Sequence, residues 1–227
     1  MKRVRRSQFL ALVLIVSLAG CGKDAGPPPP GPAELALLTQ ALDGELNSAA
    51  THLRRSLAKA NADKRIFADE LQIPAGHDTI PVDWWIYRQG WLRLGGVDPT
   101  YGGYFVLTPK GEAFLAAPAQ QWLASSFQGA PKVDCAGQKL SETCEVAAVA
   151  AVQPTAQAAD MLKGLSFPPQ ALDAHLEQGP SGWRVADLGV KGDGEPADMA
   201  AAVIFGDRAS IDRARSVWGA EMNKRMR

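Results

Sequence analysis

The chain has little histidine and little cysteine, and the few copies of each are poorly placed for common catalytic or metal sites. Of 227 residues only three are histidines, His52, His77 and His175, and they lie far apart in the sequence. There is no H-E-x-x-H, which excludes the simplest zinc-hydrolase signature, and no C-x-x-C. The glycine-containing stretches match neither a nucleophile elbow nor a phosphate-binding loop. The sequence therefore predicts no metal, no cofactor and no catalytic constellation.

A long apolar run is also missing, which excludes a permanent membrane-spanning helix. The apolar run near the N-terminus covers residues 9–18 and is interrupted only by Ser17. A spanning helix needs about 20 such residues. Four basic residues and no acidic one precede this run, Lys2, Arg3, Arg5 and Arg6. A basic segment, a short apolar run and small residues are together typical of a secretory signal peptide.

The last residues of this segment, Leu18-Ala19-Gly20-Cys21, resemble the lipobox of bacterial lipoprotein precursors. The resemblance implies that residues 1–20 are removed, that a lipid is attached to the Cys21 thiol, and that the new amino group is often acylated too. Two or more acyl chains anchor a protein stably in a bilayer. In that family an aspartate after the cysteine favours retention in the inner membrane. Because Gly22 stands here, the resemblance implies an outer-membrane location facing the periplasm.

Residues 21–32 are predicted to form a tether between the lipid and the folded body. The segment from Gly22 onward reads GKDAGPPPPGP. Such a tract favours extended polyproline II at about 3.1 Å per residue and acts as a semi-rigid spacer. A ligand for a proline-recognising groove is the alternative interpretation.

The part of the chain that would remain after removal of residues 1–20 has no excess of positive charge. The whole chain has 24 basic and 24 acidic residues, and loss of the four basic signal residues leaves 20 against 24, or −4. A mildly acidic protein lacks the electrostatic footprint of nucleic-acid binding. We therefore expect the membrane as one partner, through the lipid, an envelope protein as another, and no nucleic acid.

The first part of the body is predicted to be helical. Leucines and alanines at spacings of three and four over residues 33–62 form one apolar stripe, which Gly44 or the Asn47-Ser48 pair can divide in two. Arginines near its C-terminal end, Arg54 and Arg55, suit the helix dipole. A second helix is predicted over residues 64–71, and a short one starts at Asp83.

Residues 91–94 and 104–107 are predicted as two strands around a glycine-rich loop. A helix capped by Thr108 with Pro109 at its first position follows. This order, ending in Leu107-Thr108-Pro109-Lys110-Gly111, resembles the wing of winged-helix domains over residues 64–117. It is also similar to envelope lipoproteins in which such a hairpin precedes a β-rich half. The wing of that family often touches DNA, but an exported acidic chain meets none, so the resemblance implies a scaffold.

Once Cys21 carries a lipid, Cys135 and Cys144 are the cysteines that remain. An even pair in an oxidising compartment predicts a disulfide. The loop between them is short, so the bridge would contribute roughly 2–3 kcal/mol in the chain-entropy model. A redox or metal site is the alternative, but the sequence has no C-x-x-C and no histidine near these two cysteines.

The rest of the chain predicts an antiparallel sheet and a final helix. Residues 145–152 and 182–188 are predicted strands, residues 118–131 a helix end and crossover, and residues 171–176 a short helix with His175. Residues 207–226 predict a helix whose apolar face comprises Ile211, Ala214, Val217, Trp218 and Met222. We therefore expect an α+β fold with an N-terminal domain of residues 33–128, winged-helix-like, and a disulfide-stapled C-terminal domain of residues 129–227.

Three functions follow from these patterns as hypotheses. The first, which we favour, is a non-enzymatic accessory or adaptor lipoprotein that binds a partner protein through an exposed patch comprising Trp84, Trp85, Tyr101 and the loop residue His77. The second is a periplasmic small-ligand binder with a pocket lined by Trp183, Phe205 and Trp218. The third is an envelope hydrolase that uses His77 or His175 beside a nucleophile and a carboxylate.

Overall fold

The computed structural model describes residues 30–118, 121–138, 141–191 and 194–226. Over these ranges the fold is α+β, as the sequence predicted. The helices described are α1 (Pro32–Leu46), α2 (Ser48–Ala60), α3 (Asp83–Arg88), α4 (Pro109–Ala116), α5 (Pro196–Phe205) and α6 (Arg208–Arg225). The predicted division of the first helical stripe is confirmed and falls at Asn47.

Two small antiparallel hairpins lie among the helices of the first half. One joins β1 (Gln72–Ala75) to β2 (Asp78–Pro81), and the other joins β3 (Leu92–Asp98) to β4 (Gly102–Leu107). The loop of the second hairpin is shorter than the glycine-rich loop that the sequence predicted. Residues 95–98 continue β3 past a bulge instead of belonging to the loop. Gly95 is required there, since a Cβ atom would lie 2.5 Å from the ring of Tyr104.

A larger antiparallel sheet fills the second half. Its strands are β5 (Leu123–Phe127), β6 (Lys132–Gln138), β7 (Ser141–Pro154), β8 (Gln170–Gly179) and β9 (Gly182–Val190). Strands β5 and β6 pair one after the other along one edge of β7, while β8 and then β9 extend the sheet from its other edge. Leu38 of α1 packs on one face of this sheet, in a cluster with Val146 and Leu176.

The predicted disulfide between Cys135 and Cys144 is confirmed. The two residues are direct partners in the register of β6 and β7, and Cys144 is completely buried. They share their cluster with Leu35 and Leu38 of α1. The bridge therefore ties the β6–β7 hairpin together where the first turns of α1 cover it.

An aromatic core joins the two halves. The ring of Trp85 lies 5.6 Å from Trp91, 5.8 Å from Trp122 and 5.1 Å from Phe205, measured between centroids. Trp91 in turn stacks on Phe114 of α4 at 4.0 Å. Residues from both sides of position 128 thus belong to one buried cluster.

The helix predicted over residues 64–71 is wrong. Lys64 has a positive φ of 57°, which ends any helical path. Ile66 instead exchanges backbone hydrogen bonds of 2.9 and 2.7 Å with Phe105, so the chain is extended beside β4. A single 3₁₀ turn, Ala68–Glu70, is all that remains helical. The hairpin that resembles a wing therefore lacks the helix that the resemblance implied.

Two further predictions are wrong in the second half. Residues 171–176 belong to β8, where Leu172, Ala174 and Leu176 are buried at alternate positions, a period of two and not of 3.6. The predicted crossover at residues 118–131 contains β5, because this short segment pairs with the end of β7. In both segments, hydrogen bonding to a neighbouring strand outweighs the weak helical preference of a few residues.

Candidate functional site

The surface predicted around Trp84 and Trp85 is wrong. These two side chains are only 7% and 6% exposed. Helix α3 is embedded in the aromatic core, and its residues from Asp83 to Ile86 are all buried. The Arg88 guanidinium lies 5.8 Å from the Trp84 ring centroid. The two tryptophans are therefore core residues of the fold and not a docking surface.

Tyr101 and His77 are exposed, but they lie on the turns of two different hairpins. Tyr101 is 75% exposed, and its ring meets Phe67 edge-to-face at 5.6 Å. The backbone N–H groups of Thr100 and Tyr101 donate to Asp98 at 2.8 and 3.0 Å, and these bonds lower the pKa of Asp98. His77 occupies the turn between β1 and β2. Neither residue therefore forms a common surface patch with the buried Trp84 and Trp85.

The pocket predicted from Trp183, Phe205 and Trp218 is also wrong. Trp183 packs at the edge of the sheet cluster that contains the disulfide. Phe205 lies in the main core against Trp85, and Trp218 stacks on Phe105 at 5.5 Å. The three aromatics therefore line different parts of the molecule.

The described residues offer little for the hydrolase hypothesis. The Nδ1 atom of His175 lies 2.8 Å from Glu145 and its Nε2 atom 3.9 Å from Glu177, on the face of β8 opposite its buried side chains. Within the described ranges no hydroxyl or thiol hydrogen-bonds this ring. The same ranges hold no group of three or more His, Cys, Asp or Glu side chains suited to a metal.

The predicted lipidation residue Cys21, with the tether that follows it, lies outside the described residues. Among the helices of the described ranges, none combines the length and the apolar character that crossing a bilayer requires.

The candidate site is a groove between α3 and α6, which we call the α3–α6 groove. It has a volume of about 630 Å³ and is lined by Tyr87, Arg88, Arg213, Ala214, Val217, Trp218 and Glu221. Val217 is 72% exposed, whereas Tyr87 and Trp218 are half-buried with their rings 5.9 Å apart. The groove therefore presents one largely exposed apolar side chain beside two half-buried aromatic rings that pack against the core.

The charges around the α3–α6 groove are mainly positive. Arg88 and Arg213 have no carboxylate within 4.0 Å among the described residues. The lining acid, Glu221, is paired with Arg225 on the next turn of α6. Arg225 also donates to the Tyr87 hydroxyl at 3.1 Å. The groove can therefore accept negative charge at two guanidinium groups without breaking an ion pair in this part of the chain.

Beside the groove, an ion pair links α6 to α3. The Asp83 side chain is completely buried, and Arg215 donates to its two oxygens at 3.1 and 3.3 Å. Burial raises the pKa of Asp83, and the bonds from Arg215 partly offset that rise. Ile211 and Met222 are the fully buried residues of this helix, and Trp218 adds ring contacts with Phe105 and Tyr87. The ion pair acts with these contacts to fix the position of α6 against α3.

No protein-family model, no curated protein and no solved structure matches this chain. The function therefore has to be inferred from the chemistry of the described residues and from the sequence.

The sequence did not predict this groove, because the apolar face predicted for the last helix included Val217. On a helical projection Val217 lies about 120° from the centre of the stripe formed by Ile211, Trp218 and Met222. Such an angle lies outside the apolar face, in agreement with the exposure of Val217. Nothing in the sequence signals Tyr87 and Arg88, since their position depends on how α6 packs against α3.

Proposed function

We propose that this protein is a membrane-anchored, non-enzymatic lipoprotein of the cell envelope that binds a partner protein through the α3–α6 groove. The observation that supports binding is the exposed Val217 beside the half-buried rings of Trp218 and Tyr87. Apolar surface in water is unfavourable, and a partner that covers it gains the corresponding hydrophobic free energy.

The groove favours an acidic segment with at least one large apolar side chain. The apolar side chain would cover Val217 and meet the edge of Trp218. The acidic groups would pair with Arg88 and Arg213, which lack carboxylate partners in the described ranges. Bidentate pairing of arginine with carboxylate adds geometric specificity. On a mature body of charge −4, such a local positive groove also orients the encounter.

The lipid anchor would hold this groove near the membrane. The lipobox resemblance supports acylation at Cys21, and the residue after it supports an outer-membrane location facing the periplasm. The proline-rich tether that follows would extend about 3.1 Å per residue if it adopts polyproline II. The body could then reach a partner roughly 30 Å from the bilayer while the lipid stays in the bilayer.

Replacing Cys21 by serine is expected to abolish membrane anchoring. A serine hydroxyl cannot take the thioether-linked lipid, so the variant should remain as an uncleaved precursor or appear in the soluble fraction. Membrane fractionation with mass measurement of the N-terminus checks this. Gly22→Ser, one residue away, is the matched control and should be processed normally. Unchanged lipid attachment and retention in the Cys21→Ser variant would contradict the anchor.

Replacing Val217 by aspartate is expected to remove partner binding and leave the fold intact. The side chain is exposed, so the cost to stability should stay within about 0.5 kcal/mol. The new carboxylate would repel an acidic partner and leave an uncovered charge in the interface, which costs on the order of tenfold or more in affinity. Copurification of partners after crosslinking in cells measures the effect.

The matched control is Val97→Asp, which changes the same residue type at another exposed site, on β3. This variant should keep the partner. Charge reversal of Arg88 and Arg213 to glutamate should lower the yield as Val217→Asp does. Equal partner yields from all of these variants would refute the groove as the binding site.

A further inference from the structure

A second concave site lies between α2 and α4, on a different part of the molecule from the α3–α6 groove. It has a volume of about 280 Å³ and is lined by Ala50, Thr51, Arg54, Arg55, Ala58, Phe114 and Trp122. A cavity of about 150 Å³ is large enough for benzene. The space between α2 and α4 therefore suits a small molecule of one ring and a short chain, and it is too small for a folded partner.

Short side chains on α2 create this space. Ala50, Arg54 and Ala58 follow one another at intervals of four and form one stripe of the helix, with Thr51 and Arg55 beside it. The two alanines leave a hollow above and below the arginine. The Thr51 hydroxyl donates to the carbonyl of Asn47 at 3.2 Å, so it is already hydrogen-bonded within the helix.

The floor of the cavity is aromatic and fixed. Phe114 and Trp122 are buried, and Phe114 stacks on Trp91 at 4.0 Å. The backbone of Trp122 is held on both sides, since its N–H donates to Asn47 at 2.6 Å and its carbonyl accepts from Thr155 at 2.8 Å. A ligand would therefore meet preformed apolar surface, which lowers the entropic cost of binding.

The rim of the cavity is positively charged. One nitrogen of Arg54 donates to the carbonyl of Leu115 at 2.6 Å, which holds the guanidinium between α2 and α4. In the described part of the chain, neither Arg54 nor Arg55 has a carboxylate within 4.0 Å. The indole N–H of Trp122 is buried and also has no hydrogen-bond partner there. A ligand carboxylate at either guanidinium group would displace no existing ion pair in this part of the chain.

We propose that this cavity binds a small aromatic monocarboxylate, with its ring on Phe114 and Trp122 and its carboxylate at Arg54 and Arg55. Apolar walls with a few charged groups that fix orientation are typical of small-ligand sites. The floor fits a flat ring, and the rim fits an anion that guanidinium groups bind in bidentate fashion. A neutral ligand of the same shape would leave the rim unused and bind more weakly.

The test uses three probes, benzoate, phenylacetate and 3-phenylpropionate, with phenylacetamide as the uncharged match for phenylacetate. They are titrated into the full-length protein while the indole ¹⁵N–¹H signal of Trp122, assigned with Trp122→Phe, is followed by NMR. At least one carboxylate is expected to shift this signal saturably and to bind about tenfold more tightly than the amide, a ratio that corresponds to about 1.4 kcal/mol.

Variants separate the two parts of the proposal. Ala58→Phe fills the space from an exposed position and should abolish binding, while Ala58→Ser should leave it unchanged. Replacing Arg54 and Arg55 by glutamine should remove the preference for carboxylate over amide. No saturable shift with any of the three carboxylates, equal affinity for the amide, or full binding in Ala58→Phe would each overturn the proposal. Val217→Asp should not affect these results, so a failure here leaves the groove proposal standing.

Discussion

Replacing Asn47 by alanine is expected to destabilise the protein by roughly 3–5 kcal/mol, because several buried backbone groups depend on this one side chain. Its Oδ1 atom accepts from the N–H groups of Trp122 and Leu123 at 2.6 and 2.9 Å. Its Nδ2 atom donates to the carbonyls of Asp43 and Leu123 at 2.7 and 2.8 Å. Alanine would leave the buried N–H groups without an acceptor. Urea unfolding followed by circular dichroism measures the loss.

The control for this variant is Asn61→Ala, which removes the same amide after the other end of α2. Asn61 makes no side-chain hydrogen bond in the described part of the chain, so the change should stay within about 0.5 kcal/mol. Asn47→Asp keeps an acceptor for the N–H groups and should fall between the two. A loss from Asn47→Ala no larger than that from Asn61→Ala would show that this junction is not a structural anchor.

Replacing Arg215 by methionine is expected to cost about 3 kcal/mol at neutral pH, because it leaves the Asp83 carboxylate buried without its partner. We expect the lower end of the range for broken buried pairs, since the Arg215 side chain is 37% exposed while Asp83 is fully buried. The loss should loosen α6 from α3 and so also open the α3–α6 groove. Unfolding free energies measured across a pH series check this prediction.

The pH dependence of this variant has a definite sign. Burial raises the pKa of Asp83 above its ordinary 3.8, so the folded protein binds this proton more tightly than the unfolded chain. The contribution of Asp83 to stability therefore falls as the pH rises above about 3.8. Without Arg215, the pKa of Asp83 rises further. The deficit of the variant should therefore be largest at neutral pH and shrink towards acid pH.

Two comparisons test the cause. Asp83→Asn combined with Arg215→Met buries no charge, so it should be more stable at neutral pH than Arg215→Met alone. Arg213→Met, on the same helix and exposed, should be nearly neutral. If the single and double variants of the ion pair were equally unstable at every pH, the buried charge would not be the reason for the loss.

Local patterns predicted much of the fold. The break near Asn47, the β3–β4 hairpin, the strand at residues 182–188 and the last helix follow from spacing, caps and turn residues that act over a few positions. The disulfide followed from the cysteine count and the expected compartment. The failures at residues 64–71, 123–127 and 171–176 occur where a segment pairs with a distant strand. Such pairing is decided by tertiary contacts that no short window of sequence contains.

The candidate sites were less predictable for the same reason. The bonds from Asn47 reach residues 75 and 76 positions away, and the Asp83–Arg215 pair joins residues 132 positions apart. The sequence shows Arg54 and Arg55 only as cations that suit the dipole of their helix, because the approach of α4 to α2 leaves no trace in it. Trp84 and Trp85, predicted as part of an exposed patch, instead build the core, because the elements that cover them come from distant parts of the chain.

The central claim is that a partner protein binds at the α3–α6 groove of a lipid-anchored chain. The most direct measurement is photocrosslinking in cells from a single reactive residue introduced at Val217 or at Arg213. Val97 and Val149, which are also exposed but lie on β3 and β7, serve as controls. We predict one stoichiometric envelope protein crosslinked from the two groove positions and absent from the two controls. A chain that remains uncrosslinked at the groove, or gives the same products from all four positions, would contradict the account.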